Sequence, residues 1–374
     1  MSKFFIVSTI TYLAMSFGIC YALIRTLPLG VWVRRSLYVL TFAFAFMSVS
    51  YLPLRRAAML KGYIQDFFAL SLGVVFVFFI AALLSDWIVR ITRKTIKSDR
   101  YAVRIRGGAV LIGVVYLVYG VISAASAPNI NEITIETDKI SKPISIAHLT
   151  DLHLGNGAAL GVDFAARIAQ QTSDLNVDMV VITGDLIDAP MRVVRDPLKE
   201  IAKIKTKYGI FFVSGNHENM ADAIVAMDYL DTLGIKTLRN SSAKISGDFG
   251  EIDIAGTLDL SGKRLGVLIP DPKAALSATD ENNFILALAH QPNSIYLFPQ
   301  NSFDLMLCGH THGGQIFPFT LLVRFAQKYI SGLYNHDDRG QIYVSRGVGY
   351  WGPPLRMFAP NEIAVITLNP KEQK

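Results

Sequence analysis

Apolar residues are distributed differently in the two parts of the chain, which meet near residue 126. Before that point they form long runs, and short basic segments separate these runs. After it the apolar stretches are short and alternate with polar turns and helix-like segments. Long runs are typical of membrane-spanning helices, whereas short alternating stretches are typical of a folded α/β domain.

Four apolar runs in the first part have the length of membrane-spanning helices. At roughly 18–23 residues, each is long enough to cross a hydrocarbon core about 30 Å thick as an α-helix. The runs are Phe4–Ile24, Ser36–Leu54, Phe67–Val89 and Gly107–Ala124. The first run is too long for the apolar region of a signal peptide and lacks a clear cleavage site, so we predict a retained helix. Asp86 lies near the end of the third run, and we expect it at a membrane interface.

Basic residues are concentrated in the loop between the third and fourth runs. That loop contains Arg90, Arg93, Lys94, Lys97, Arg100, Arg104 and Arg106. The first and third loops lie on the same side of a membrane, and the positive-inside rule assigns that side to the cytoplasm. We therefore predict a multi-pass protein of the bacterial cell membrane whose second part is extracytoplasmic.

Composition agrees with a membrane part joined to a folded domain, because 51% of the 374 residues are hydrophobic. The net charge of +6 is modest, and nothing in its distribution points to nucleic acid. Cys20 and Cys308 lie in quite different segments and neither is part of a Cys-x-x-Cys motif. These positions argue against a disulfide scaffold and against a thiolate metal site.

The second part alternates short strands with helical segments. The predicted strands are ITIET, ISIAHLT, MVVIT, GIFFVS, KISGD, EIDIAGT, FILALAH, DLMLCGH, QIYVS and IAVITL. Helices are predicted over Val162–Thr172, Asp196–Lys205 and Ala221–Leu233. Strands and helices that alternate in this way indicate βαβ units and one large α/β domain.

Polar residues follow the predicted strands at the point where each strand ends. They are Asp151, His153, Asp185, Asn216, His217, His290, His310 and His312. Side chains at the carboxyl ends of neighbouring parallel strands converge on one crevice, so we expect these residues to meet. Oxygen and imidazole donors without thiolates suit two divalent ions such as Mn, Fe or Zn, about 3.5–4 Å apart. A solvent molecule shared by the two ions would supply a hydroxide, and His217 is the candidate general acid.

The segments DLH, GD, GNHE, the histidine of AHQP, and GHTHGGQ resemble the calcineurin-like metallophosphoesterase superfamily in order and spacing. The resemblance covers about residues 131–370, and the tail SRGVGYWGPPLRMFAPNEIAVITL resembles membrane-attached bacterial members. It implies two facing mixed β-sheets flanked by helices. Together with the four apolar runs, it divides the chain into four transmembrane helices in 1–125, a linker with the first edge strand in 126–142, and the phosphoesterase domain in 143–374.

The same resemblance assigns a role to each of the clustered residues. It makes Asp151, His153 and His312 ligands of the first metal, with Asp185 as the bridging ligand. The second metal would be held by Asn216, His290 and His310. His217 matches the residue that assists the leaving group. Glu218 stands where many members have aspartate, and we expect it to support a ligand rather than bind metal.

Several other side chains leave more than one interpretation open. Gln315 and Arg346 are candidates for substrate contact, with a packing or loop-fixing role as the alternative. Asp188 would either support a ligand or face water, and His148 is predicted to be a hydrogen-bonded core residue. The aromatic residues could form a lip for an acyl chain, but we predict core packing for Phe317, Phe319, Tyr334, Tyr350 and Trp351.

The sequence therefore predicts a membrane-tethered dinuclear phosphoesterase that hydrolyses a phosphate ester or pyrophosphate, with lipid-linked esters as the first substrate class. A nucleotide phosphodiesterase is the alternative within the same chemistry. A non-catalytic scaffold on the same fold is the alternative outside it, although such proteins usually lose metal ligands. A transporter regulated by the second part has little support, because the apolar runs lack interior charges and breaks.

Overall fold

The computed structural model describes residues 3–57 and 59–371. Its α-helices are α1 (Lys3–Ala22), α2 (Val31–Arg56), α3 (Gly62–Thr92), α4 (Asp99–Ala125), α5 (Val162–Asp174), α6 (Met191–Ile201), α7 (Asn216–Ala221), α8 (Ala223–Thr232), α9 (Ser261–Leu265), α10 (Pro272–Leu276) and α11 (Phe319–Ala326). Its strands are β1 (Asn129–Thr137), β2 (Ile144–Leu149), β3 (Met179–Thr183), β4 (Ile210–Val213), β5 (Ile235–Thr237), β6 (Ser241–Gly247), β7 (Gly250–Gly256), β8 (Phe284–Leu288), β9 (Leu305–Cys308), β10 (Gly332–Asn335), β11 (Gln341–Val344) and β12 (Glu362–Pro370).

The chain divides into two compact units. One contains the described residues through Ala125 together with the segment Gly352–Met357. The other contains Ser126–Trp351 and the described residues from Phe358 onward. The first unit is helical, and the second contains all the strands of the described chain.

Four helices of the first unit, α1–α4, are long and apolar enough to cross a membrane, judged over the described residues. Helices α2, α3 and α4 extend beyond the apolar runs that predicted them. Near the end of α3, Asp86 accepts a hydrogen bond from Arg90 Nε at 2.5 Å and lies 3.5 Å from Arg106 Nη2. The acidic residue that the sequence singled out is thus paired with two arginines.

The strands of the described chain form two six-stranded sheets in the second unit. The first has the order β1-β12-β2-β3-β4-β5, and the second has the order β10-β11-β9-β8-β7-β6. Both are mixed: β2, β3, β4 and β5 run parallel, as do β7, β8, β9 and β11, while β12 pairs antiparallel with β2 and β6 pairs antiparallel with β7. The predicted architecture of two facing mixed sheets flanked by helices is confirmed.

The main hydrophobic core lies between the two sheets. Alternate residues of each strand point into it because successive side chains of a strand face opposite sides. Met179 and Val181 of β3 and Leu286 and Leu288 of β8 are fully buried there, in one cluster with residues of both sheets. Helices α5 and α6 are amphipathic and bury one face each. Rigid strands therefore hold the loops at their carboxyl ends.

Two helix predictions were wrong in their bounds. The helix predicted over Asp196–Lys205 spans Met191–Ile201, where Val194, Leu198 and Ile201 share the buried face. The helix predicted over Ala221–Leu233 is interrupted at Asp222, whose φ of 90° lies in the left-handed region and whose side chain caps α8. The short elements β5, β10, α9, α10 and α11 were not predicted, since so few residues show no reliable period.

Candidate metal centre

Five loops build the site, and each follows the carboxyl end of a strand. Two belong to β8 and β9 of the second sheet, and three belong to β2, β3 and β4 of the first. These loops bring together all eight residues that the sequence singled out, which lie within contact of one another. The eight are Asp151, His153, Asp185, Asn216, His217, His290, His310 and His312.

Five of these residues have a backbone conformation that is uncommon outside glycine. The φ angles of Asp151, His153, Asp185, His310 and His312 lie between 49° and 70°. Neighbouring loops hold the conformation: Asp151 N donates to Gly184 O at 3.1 Å and His153 N donates to Asp185 O at 3.0 Å. Such local strain persists where the surroundings enforce it, and it is concentrated at functional sites.

The first donor set is built around the Asp151 carboxylate. Its Oδ2 accepts hydrogen bonds from Thr150 Oγ1 and His310 N, both at 2.9 Å. Its Oδ1 is buried without a hydrogen-bond donor among the described residues and lies 3.2 Å from His312 Nε2. His312 Nε2 is in turn 3.1 Å from His153 Nε2. A buried carboxylate oxygen and two facing imidazole nitrogens are a donor set that fits a cation.

The second donor set is built around His290. Its Nδ1 lies 2.8 Å from Thr183 O, which requires this nitrogen to carry the hydrogen and leaves Nε2 with a free lone pair in the neutral ring. That Nε2 is 3.1 Å from Asp185 Oδ2, 3.2 Å from Asn216 Oδ1 and 3.2 Å from His310 Nδ1. A hydrogen bond that fixes the tautomer in this way is typical of a metal-binding histidine.

Asp185 lies between the two donor sets. Its Oδ2 is 3.1 Å from His290 Nε2 and 3.9 Å from His153 Nε2, so one oxygen approaches a nitrogen of each set. Its Oδ1 accepts a hydrogen bond from His217 N at 2.8 Å, which fixes the carboxylate plane. This is the position that a bridging ligand requires.

Electrostatics favour positive charge in the cluster. Burial opposes ionisation of Asp151, but His312 and the other imidazoles hold the pKa of this carboxyl well below its usual range. Asp185 behaves similarly, since the effect of burial is outweighed by His290, and its pKa is also lowered. Conversely, burial disfavours a charged His290, yet Asp185 raises the pKa of His290 well above its usual value. Buried acids that stay ionised attract cations, whether protons or metal ions.

His217 lies beside the donor sets rather than within them. Its Nδ1 is 2.6 Å from Asp188 Oδ1, and its Nε2 is 3.9 Å from Asp185 Oδ2. Burial lowers the pKa of His217, but Asp185 and Asp188 outweigh this effect and raise it to about 9. The second oxygen of Asp188 lies 3.5 Å from His153 Nδ1. Of the two interpretations left open for Asp188, the structure shows support of site histidines.

Glu218 connects the loops that follow β3 and β4. Its Oε2 accepts hydrogen bonds from Asp185 N at 2.9 Å and Gly215 N at 2.6 Å, while its Oε1 accepts one from Ile187 N at 2.9 Å. The carboxylate is buried beneath the cluster. Burial and the neighbouring Asp185 charge raise the pKa of Glu218 to about 7. Glu218 therefore positions the backbone of Asp185.

The two candidates for substrate contact make other contacts. The Gln315 side chain donates to Trp351 O at 2.8 Å and accepts from Trp351 N at 2.9 Å, while the residue also lines the site cavity. The Arg346 guanidinium binds Glu362, with Nε at 2.7 Å from Oε2. These are the loop-fixing contacts of the alternative interpretation, and substrate contact by either residue stays a prediction. His148 is a buried core residue hydrogen-bonded to Thr183.

A cavity of about 420 Å³ opens above the donor sets. The polar side of the cavity contains His153, Asp185, Asn216, His217, His310 and His312. The apolar side contains Met220, Trp351 and four residues of α11, which are Phe319, Leu322, Val323 and Ala326. The α11 residues are spaced i, i+3, i+4 and i+7, so a single face of the helix forms most of the apolar wall.

The aromatic residues for which core packing was predicted lie only partly in the core. Tyr350 is buried as predicted, but core packing was wrong for Phe317, Phe319 and Trp351, which are 45%, 40% and 48% exposed. Phe319 and Trp351 line the cavity instead. The apolar spacing of α11 is visible in the sequence FTLLVRFA, but eight residues gave no basis for placing that face against the site.

Comparison with known proteins gives results that agree with the donor residues of this site. The family model described as calcineurin-like phosphoesterase matches residues 144–314. A Helicobacter pylori protein named uncharacterized metallophosphoesterase is 41% identical over 259 residues, which cover 69% of this chain and 68% of that protein. The Bacillus subtilis metallophosphoesterase YkoQ is 32% identical over 235 residues, covering 59% of this chain and 82% of the relative. A Danio rerio transmembrane protein with metallophosphoesterase domain is 34% identical over 272 residues, which cover 70% of this chain and 62% of that protein.

Proposed function

Because the chain belongs to the calcineurin-like metallophosphoesterases and is a metal-dependent phosphoric ester hydrolase, we propose that it acts on membrane-associated phosphoesters with an apolar group beside the phosphate. One observation carries this proposal: metal donors and an apolar helix face line the same cavity. A phosphate needs the metal donors, and an acyl or prenyl group fits the helix face.

We propose two divalent ions, drawn from Mn, Fe and Zn, as the cofactors. The first would be held by Asp151, His153 and His312, the second by Asn216, His290 and His310, and Asp185 would bridge them. When bound, such a pair supplies positive charge to the phosphate oxygens and activates water for in-line attack. The buried Asp151 oxygen without a donor and the fixed tautomer of His290 support this assignment.

His217 supplies the proton that the leaving oxygen needs. With its pKa near 9, the imidazole carries a proton at neutral pH, and it lines the cavity. Nδ1 is held by Asp188 at 2.6 Å, so Nε2 is the nitrogen left to donate to a bound ester. His217 and Asp188 thus act together in proton donation, because Asp188 holds the orientation of the His217 ring.

Membrane attachment supports a lipid-linked substrate. We propose that residues 1–125 anchor the chain, that 126–142 form the linker and edge strand, and that 143–374 form the catalytic domain. We also propose a bacterial cell membrane as the location and an extracytoplasmic position for the domain, from the basic third loop. Among phosphoesters, an enzyme fixed at a bilayer meets lipid-linked ones at the highest local concentration.

The test uses the full chain in proteoliposomes loaded with Mn, Fe or Zn. A series of phosphodiesters with one phosphate group and alkyl chains of increasing length is compared for kcat/KM. We expect metal-dependent hydrolysis that rises with chain length and is abolished in Asp185→Asn. Hydrolysis that is independent of chain length, and that nucleotides inhibit better than lipids do, would favour the nucleotide alternative. The exposed Trp351 at the cavity would then stack on a base.

The scaffold alternative is tested by the same preparation. Full metal loading with no hydrolysis of any ester in the series, in wild type as in Asp185→Asn, would contradict the enzymatic proposal. The metal content is measured by elemental analysis, so a failure to load is distinguished from a failure to react.

A further inference from the structure

Helix α11 exposes a second apolar face that the cavity does not use. None of its eight residues is buried. Leu321 and Phe325 lie away from the cavity-lining positions and are 49% and 90% exposed. Phe317, just before the helix, packs edge-on against Phe358, which is 77% exposed, with ring centroids 6.1 Å apart. We call Phe317, Leu321, Phe325 and Phe358 the α11 outer surface.

Such a surface is unusual for a domain in water. Single exposed apolar residues are common, but contiguous exposed aromatic and aliphatic side chains mark a contact with another apolar phase. A short helix that gains no core burial on either face also has little to hold it in water, since most helical stability comes from packing an apolar face.

The charged residues on this helix and next to it in the chain are basic. Arg324 on α11 and Lys328 just after it are both exposed. The chain has no acidic residue from 305 to 336, between Asp304 and Asp337. Basic residues beside exposed Phe and Leu are the pattern of helices that lie in the interface of an anionic bilayer.

Chain connectivity ties the α/β unit to the four apolar helices. Strand β1 begins at Asn129, four positions after α4 ends at Ala125. Four extended residues span at most about 14 Å, so the start of β1 stays within that distance of the end of α4. A second copy of the chain would have to be recruited from solution or from the membrane, whereas the bilayer is always present.

We propose that the α11 outer surface inserts into the bilayer interface, with Arg324 and Lys328 at anionic headgroups. The opposite face of the same helix then leads from the acyl layer to the metal cavity. This inference rests on the proposed membrane anchoring but not on hydrolysis, because lipid contact is measurable without turnover.

The experiment places a fluorophore on the outer surface of the full chain. In a Cys20→Ala background the remaining native thiol, Cys308, is buried. A nitrobenzoxadiazole dye is attached to Phe325→Cys, and the protein is reconstituted in vesicles of phosphatidylcholine and phosphatidylglycerol. The matched control is Val193→Cys on α6, which is apolar, 49% exposed and not part of the cavity wall.

We expect brominated acyl chains to quench the dye at position 325 severalfold more than the dye at 193, and aqueous iodide to do the reverse. Equal quenching of the two dyes by iodide would overturn the proposal. Protection of position 325 from both quenchers, with dependence on the protein-to-lipid ratio, would also overturn it and would indicate a second copy of the chain as the partner.

Two further variants separate lipid contact from the hydrolytic proposal. Arg324→Gln with Lys328→Gln should lower quenching by brominated chains in anionic vesicles and leave it unchanged in neutral ones. Phe325→Ser, outside the cavity wall, should keep kcat/KM for a water-soluble ester but lower it severalfold for an ester embedded in vesicles. Loss of both activities to the same extent would contradict a bilayer role, whereas absence of hydrolysis in wild type bears only on the proposed function.

Discussion

His153 Nε2 lies 3.1 Å from His312 Nε2, although 159 residues separate them in the chain. Both histidines are buried, and Oδ1 of Asp151 is 3.2 Å from the second of these nitrogens. Two imidazole lone pairs repel one another unless a proton or a cation lies between them.

Metal removal should destabilise the α/β unit. Ligand binding to the folded state alone contributes about 2.7 kcal/mol when the ligand is present at a hundred times its Kd. We therefore expect chelation to lower the melting temperature of the full chain by about 5–10 °C, and Mn or Zn to restore it. Differential scanning fluorimetry measures the shift. Asp185→Asn, which lacks the bridging charge, should show a much smaller response to chelator; an equal response would contradict the assignment of the site.

Replacing Asp188 should change the pH dependence of hydrolysis. As the proposed general acid, His217 would act in its protonated form, and its pKa is raised to about 9. Activity is therefore expected to be retained at neutral pH and lost as pH rises through this value. Asp188→Asn removes one of the charges that raise this pKa, and the basic limb of kcat/KM against pH should move to lower pH. His217→Asn should abolish the limb and lower kcat by about 10²–10⁴.

The control for this profile is Asp196→Asn, an exposed carboxylate on α6 whose partner is Lys199. Its basic limb should coincide with that of wild type. A profile for Asp188→Asn that also coincides with wild type would show that the contact at 2.6 Å does not set the protonation of His217.

Glu218→Gln should destabilise the site more than an ordinary polar substitution. The carboxylate accepts three backbone hydrogen bonds from two loops, and an amide offers only one oxygen to replace both. A buried donor left without a partner costs about 1–3 kcal/mol, so the melting temperature should fall by several degrees. Glu251→Gln on the exposed side of β7 is the matched control, and its melting temperature should be nearly unchanged.

Leu322→Ser should weaken the preference for long alkyl chains. Each buried methylene contributes about 0.8 kcal/mol, which corresponds to about fourfold in kcat/KM per methylene that contacts the apolar wall. Removing the Leu322 side chain from the cavity should flatten the rise of kcat/KM with chain length. With soluble esters, Leu321→Ser on the outer surface should leave this rise intact, and identical slopes for the two variants would exclude the apolar wall as the chain-binding site.

Much of the fold follows from local patterns in the sequence. The strand MVVIT forms β3 with the predicted bounds, because a short β-branched run has few alternatives once it is buried. The polar residues at the strand ends correctly predicted that the eight site residues lie around one crevice. By contrast, the break at Asp222 and the start of α6 at Met191 depend on which faces are buried against neighbours, which periodicity alone does not specify.

The sequence by itself determined the four apolar helices, the order of the strands along the chain and the set of donor residues, since these follow from local pattern and motif. Only the tertiary structure decided what surrounds them. Asp188 binds His217 and Glu218 connects two loops because β3 and β4 are neighbours in one sheet. Helix α11 lines the same cavity as the metal donors, and contacts between residues far apart in sequence leave no trace in a short apolar segment.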